Sequence, residues 1–183
     1  MLKKILFGLG ALLLLFILWV VYGLFIAEPA SPPATTEYSN QGLEITVNYS
    51  QPYKKGRLIF GEEADGALQP YGQYWRLGAN QATEITFNKD VLFAGEPVSA
   101  GSYRMYAVPG AQSFEVSLNS ELGVFFAVAE ADPELDVAKV QAPVTMQDNE
   151  TEMFTININS TDNGAQIDFV WGKVLFSVPI TVQ

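Results

Sequence analysis

The chain has 183 residues and a formal net charge of −10, with no cysteine and no histidine. Without cysteine there is no disulfide framework and no thiol nucleophile. Without histidine there is no Ser-His-Asp or Cys-His system within one chain, and no histidine-ligated zinc site of the usual kinds. The acidic balance repels phosphate backbones and excludes nucleic acid as a partner.

Ile5 to Ala27 carry no charged side chain. A helix of that length spans about 34 Å at ~1.5 Å per residue. The hydrocarbon core of a bilayer is ~30 Å thick, and a helix satisfies its own backbone within it. Lys3 and Lys4 precede the run, while Glu28 to Tyr38 hold Glu28 and Glu37 and no Lys or Arg. The positive-inside rule then puts the N-terminus in the cytoplasm and the remainder outside, anchored to the membrane by this helix. A cleaved signal peptide is the rival reading. Its apolar region would be only ~7–15 residues long, and Pro29 spoils the site at Ala27-Glu28-Pro29-Ala30, so an uncleaved anchor over residues 1–27 is expected. With no cysteine, a lipid-attached lipoprotein is excluded.

Residues 28–38, with Pro29, Pro32 and Pro33 among Ala, Ser and Thr, read as an extended polar linker. A single domain is expected over 39–183. Setting aside Lys3 and Lys4, eight basic and twenty acidic residues remain, a net charge of −12. From here apolar and polar residues alternate, as in half-buried strands whose successive side chains face opposite ways. Leu43, Ile45, Val47 and Tyr49 form one such run, and Ile85 with Phe87 another. Tyr103, Met105 and Ala107 follow, then Phe114, Val116 and Leu118. Phe154, Ile156 and Ile158 precede Ile167, Phe169 and Trp171, and Val174 to Val182 close the chain. Pro179 cannot donate to a ladder and marks an edge or bulge. Asp162-Asn163-Gly164 reads as a tight hairpin. Gly172-Lys173, Pro109-Gly110, Ala94-Gly95 and Ala100-Gly101 read as further turns. Asp132 to Lys139 offers one helical turn at most. Short strands with a turn every ten residues or so predict an all-β fold: an antiparallel, jelly-roll-like β-sandwich of two sheets behind one N-terminal transmembrane helix.

Gln69 to Thr83 does not fit a plain strand. It gathers Tyr71, Tyr74, Trp75, Arg76 and Asn80 between Gly72 and Gly78. Rings offer a stacking face, and guanidinium and amide give directed hydrogen bonds, so Tyr71, Trp75, Arg76 and Asn80 are candidate ligand-binding residues. Upstream, Lys54-Lys55-Gly56-Arg57 concentrates positive charge in an acidic domain, and Lys55 and Arg57 would receive a carboxylate, phosphate or sulfate. The competing reading is structural. Trp75 plugs the core, Arg76 pairs with a carboxylate such as Glu84, Asn80 takes a left-handed turn position, and Lys54 to Arg57 is an exposed hairpin.

Asp132, Glu134 and Asp136 lack the oxygen cage and glycine-bearing loop that calcium needs, and read as a solvated acidic loop. Asp148, Glu150 and Glu152 read alike. Carboxylates are plentiful enough for glycoside hydrolysis, but their spacing singles out no pair. No GxSxG, HExxH, Walker A or dinucleotide fingerprint occurs. No catalytic residue, metal site or cofactor is therefore expected.

Four stretches, SQPYKKGRLIFG, PYGQYWRLGANQATEITFNKDV, AGSYRMYAVPG and WGKVLFSVPI, resemble a bacterial domain-of-unknown-function family, the one numbered 2911. The resemblance covers nearly all of the chain beyond the linker. Its most specific motif is YGxxWRxGANxxT, here Tyr71, Gly72, Trp75, Arg76, Gly78, Ala79, Asn80 and Thr83. It implies exported bacterial proteins, rich in β-structure and without an established activity. It also makes the membrane the inner one and the body periplasmic. Two positions depart from the family pattern. Gln51 stands where an arginine is usual before the proline, and Val124, Phe125 and Phe126 stand where Trp-Gly is frequent. The expectation is a membrane-anchored binding or interaction module of the cell envelope, its ligand small and polar, anionic or a glycan. The alternatives are a carboxylate-dependent hydrolase of envelope glycans and a purely structural domain.

Overall fold

A computed structural model describes residues 2–25, 30–123 and 129–183. The chain divides into two units, Met1–Ala30 and Ser31–Gln183. The first contains α1, Leu2–Phe25, a helix of 24 residues. Its described side chains from Phe7 to Gly23 are exposed almost throughout, Trp19 and the Leu12–Leu15 run among them. A helix thus stands where the apolar run predicts one. Counted over the described residues, no helix is long and apolar enough to cross a membrane, so a span as such is not established. Ile26 to Pro29, which hold part of the weighed cleavage site, lie outside the described residues.

The second unit carries strands β1 (Pro33–Asn40), β2 (Leu43–Ser50), β3 (Phe60–Gly61), β4 (Gln69–Pro70), β5 (Thr83–Phe87), β6 (Val91–Phe93), β7 (Glu96–Val98), β8 (Gly101–Val108), β9 (Ser113–Asn119), β10 (Asp136–Thr161) and β11 (Gly164–Val182). Nine of them form one antiparallel sheet in the order β1-β2-β5-β8-β9-β10-β11-β6-β7, and β3 pairs with β4 in parallel. The all-β expectation holds. Two ladders make up the nine-stranded sheet, β1-β2-β5-β8-β9-β10 and β10-β11-β6-β7, and they are continuous because β10 belongs to both. Asp136 to Pro143 pair with β9, and Val144 to Thr161 pair with β11. The β10–β11 ribbon is also doubled over. Gly164 and Ile180 stand at opposite ends of β11, yet a Cβ on Gly164 would lie 2.2 Å from the Ile180 carbonyl oxygen.

Two local readings are corrected. Residues 33–38, expected in the linker, are strand: β1 pairs residue for residue with β2 from Pro33↔Ser50 to Asn40↔Leu43. Proline is tolerated at the start of an edge strand, and Thr35, Thr36 and Tyr38 suit extended backbone. Gly172-Lys173, expected as a turn, lies inside β11. The ladder slips here: Met146 faces Val174 and Thr151 faces Gly172, so four residues of β10 oppose Lys173. Gly172 supports the bend with a φ of +61°. The Asp162-Asn163 hairpin and the Ala94-Gly95 turn form as expected.

The alternating apolar faces meet in one core, from Leu43, Ile45 and Val47 on β2 to Phe169, Phe176 and Val178 on β11. Its centre is aromatic. The Trp75 ring stacks on Trp171 at 5.9 Å and 22°, with Phe60 at 5.2 Å and Phe154 at 5.0 Å. Such pairs add about 0.5–1.5 kcal/mol each beyond area burial.

Candidate functional site

The Gln69–Thr83 segment folds as a tight loop that docks by backbone. Trp75 exchanges two hydrogen bonds of 2.8 Å with Ala107 on β8. Its side chain is buried in the aromatic centre, with the indole N–H aimed at the Gly78 carbonyl at 3.4 Å. Leu77 and Asn80 have positive φ, and Asn80 spans from the loop to the Ser31 carbonyl. Gly78 passes so close to β2 that a Cβ would sit 2.8 Å from the Ser50 carbonyl oxygen. Thr83 Oγ1 donates to the Leu77 carbonyl at 2.5 Å. Arg76, half-buried, donates from Nη1 to the Asn80 carbonyl at 3.3 Å. Tyr71 packs against the core's edge. The loop thus brings Trp75, Arg76 and Asn80 together, and Trp75 presents no ring to solvent.

The basic stretch forms a separate feature. Lys54 to Arg57 is a two-residue turn, closed by Arg57 N–H to the Lys54 carbonyl at 3.1 Å, with positive φ at Lys55 and Gly56. Lys54 N–H donates to the Glu152 carbonyl and Phe154 N–H to the Pro52 carbonyl, which lays the segment along β10. Arg57 donates from Nε to the Lys54 carbonyl and from Nη2 to the Tyr53 carbonyl. The turn borders a groove of about 410 Å³ opened by the slip between β10 and β11. Ile59, Phe60 and Trp171 form its floor, Leu58, Met146 and Val174 its sides, and Lys54, Arg57, Lys173 and Glu150 its polar rim. Lys54 pairs with Glu150 at 3.1 Å, and its stem runs 3.8 Å from where a Cβ on Gly172 would sit. Trp171 Nε1 is buried with no acceptor among the described residues. Of the expected pair, Arg57 lines the groove. Lys55 does not; its ammonium stands 5.8 Å from the Tyr53 ring centroid and its N–H donates to Glu152.

Lys54 belongs to the same charged run and is legible in the sequence. Met146, Trp171 and Lys173 reach the groove from nearly a hundred residues or more away, and only the strand pairing unites them.

A second cleft, about 350 Å³, is lined by Ala34, Asn48, Tyr49, Gln81 and Glu84 among others. Each of these two clefts has one carboxylate among its described lining residues, while a third cleft, beside β1 and β2, has Glu37 and Glu44. At the departure from the family pattern next to the second cleft, Gln51 Nε2 donates to the Tyr49 hydroxyl and the Phe154 carbonyl, both at 3.3 Å. The other departure, at 124–126, lies outside the described residues.

A polar cluster beside β8 and β9 escaped the sequence reading. Arg104 is fully buried. It pairs with Glu121 at 3.0 Å and donates to the Tyr74 hydroxyl at 2.8 Å and the Ala129 carbonyl at 2.7 Å. Tyr106 donates to Asp136 at 2.6 Å, and Asn119 Nδ2 donates to the same carboxylate at 2.8 Å. Burial, then the Asp136 hydrogen bond, push the Tyr106 phenol up to about 12. Burial also raises Tyr74, against the opposing pull of Arg104. Asp132 and Asp136 are therefore not simply solvated: Asp132 caps a short 3₁₀ turn through the Glu134 N–H, and Asp136 anchors this cluster. Glu121 is thus tied to Arg104 on β8, and Asp136 to Tyr106 on β8 and Asn119 on β9.

A family model described as "Protein of unknown function (DUF2911)" matches residues 31–180. No curated protein and no solved structure matches the chain.

Proposed function

The chain belongs to the DUF2911 family, of unknown function, and from that premise we propose that it is a membrane-anchored binding module of the bacterial cell envelope. The doubled-over sheet, read as a β-sandwich, serves as the rigid support. The observation that carries the reading is the groove between the Lys54–Arg57 turn and the β10–β11 bend. It gathers three cations around an apolar floor in a body that is otherwise strongly acidic. Its volume falls within the ~300–1,000 Å³ of small-molecule sites, and a mostly apolar lining with a few polar groups is their usual make-up. Arg57 and Lys173 are the direct anion contacts. Trp75, Arg76 and Asn80 act at one remove: Trp75 backs the Trp171 wall, and Arg76 and Asn80 hold the Trp75 loop.

The anchoring reading rests on α1. A helix of 24 residues is about 36 Å long at ~1.5 Å per residue. Lys3 and Lys4 at its start orient the body outward from the cytoplasm.

The test is a titration of the full chain with short carboxylates, phosphate esters and envelope oligosaccharides, against Arg57→Glu and Lys173→Glu variants. A ligand that binds wild type and loses at least ten-fold in affinity in both variants supports the module. The reading falls if every ligand found binds the variants as well as wild type, or if an oligosaccharide is hydrolysed.

A further inference from the structure

We propose that the groove is built for an aliphatic chain ending in a phosphate monoester; this rests on the binding reading above and narrows it. Two features decide the ligand class. The first is charge. Lys54, Arg57 and Lys173 face one carboxylate, Glu150, which leaves an excess of two positive charges on the rim. A phosphate monoester carries about −1.5 to −2 at pH 7 and matches that excess, whereas a carboxylate neutralises half of it. Lys54 is already paired at 3.1 Å, so Arg57 and Lys173 carry the surplus, both exposed. Two of the Arg57 nitrogens are fixed on backbone carbonyls, which holds the guanidinium in place before any ligand arrives.

The second feature is the apolar surface. Leu58 and Met146 flank the groove with 48 % and 66 % of their surface exposed. Met146 stands on β10 one step before the ladder slips, so its side chain projects over the groove instead of into the core. A hydrophilic anion would leave both side chains in water. An aliphatic chain laid between them takes its own methylenes and both side chains out of water together, and methionine adapts its shape to such a chain. The neutral floor of Ile59, Phe60 and Trp171 continues the same surface inward.

The experiment uses the full chain in phosphatidylcholine nanodiscs, with empty nanodiscs subtracted, titrated calorimetrically with dodecyl phosphate. Inorganic phosphate, dodecanoate and dodecyl maltoside are the comparison probes. Dodecyl phosphate is expected to bind one per chain, at least ten-fold more tightly than any of the three. Lys173→Glu is expected to lose at least ten-fold for dodecyl phosphate and to leave dodecyl maltoside unchanged. Met146→Asp is expected to lose at least ten-fold for dodecyl phosphate and to leave inorganic phosphate unchanged. Both side chains are exposed, and an unaltered melting temperature confirms that each variant is folded. If inorganic phosphate binds as tightly as dodecyl phosphate and depends on Lys173, the binding module stands and the chain-bearing ligand is wrong. Dodecanoate binding as tightly as dodecyl phosphate overturns the phosphate assignment. If no probe binds in a way that depends on Lys173 or Met146, both proposals fall.

Discussion

Trp75 illustrates how one residue type supports two readings until its neighbours are known. A tryptophan between glycines suits a stacking platform; five aromatic rings within 6.5 Å make it a core residue instead. Trp75→Ala is expected to destabilise the body by about 3–5 kcal/mol, the usual cost of emptying a large aromatic site, as read from urea denaturation. A loss below 1 kcal/mol would contradict the packing described. The sequence could not choose between the readings because the rings around it come from β3, β9, β10 and β11, scattered from Phe60 to Phe176. Asn80 and the Lys54–Arg57 turn were easier, since left-handed backbone is a local property of Asn and Gly. Tyr106 gives a prediction in pH. Its folded pKa lies above that of a free phenol, ~10, so the unfolded chain gives up the proton first. The stabilisation is complete below about pH 10 and is lost as pH rises from there toward about 12. Unfolding free energies measured across that window should fall more steeply for wild type than for Tyr106→Phe. Equal slopes would refute the assignment.

At the scale of elements, period-two alternation located β2, β5, β8 and β9, and turn residues located the Asp162-Asn163 hairpin. β1 was missed because consecutive prolines signal a linker, although an edge strand tolerates one at its start. The β10–β11 bend was missed because glycine inside a strand looks like the end of one. The close approach of the Trp75 loop to β2 has its own test. Gly78→Ala adds a Cβ 2.8 Å from a backbone oxygen at φ +146°, while Gly56→Ala meets open space at φ +70°. Gly56→Ala should cost about 1–2 kcal/mol, the left-handed penalty alone. Gly78→Ala should cost clearly more in the same thermal melts. Equal costs would mean the loop relaxes away from β2.

For the molecule as a whole, the division into two units predicts separable behaviour. A body beginning at Ser31 should fold with a strand-type circular-dichroism spectrum, and only the full chain should stay with membranes through carbonate extraction. Release of the full chain by carbonate would refute the anchor. Within the body, the first strand is fastened by the last ribbon. Thr36 donates to the Ile156 carbonyl, and the Tyr38 hydroxyl to the Gly164 carbonyl across 126 positions of sequence. Synthesis runs in one direction, so the opening strand has β2 at once but waits for these two acceptors, which leave the ribosome late. Contacts between such distant positions place refolding in the millisecond-to-second regime of non-local β-proteins. Until that late closure, β1 is held by β2 alone, without its hydrogen bonds to β10 and β11. A nascent body halted before residue 154 should therefore remain open to protease along β1, where the finished one resists.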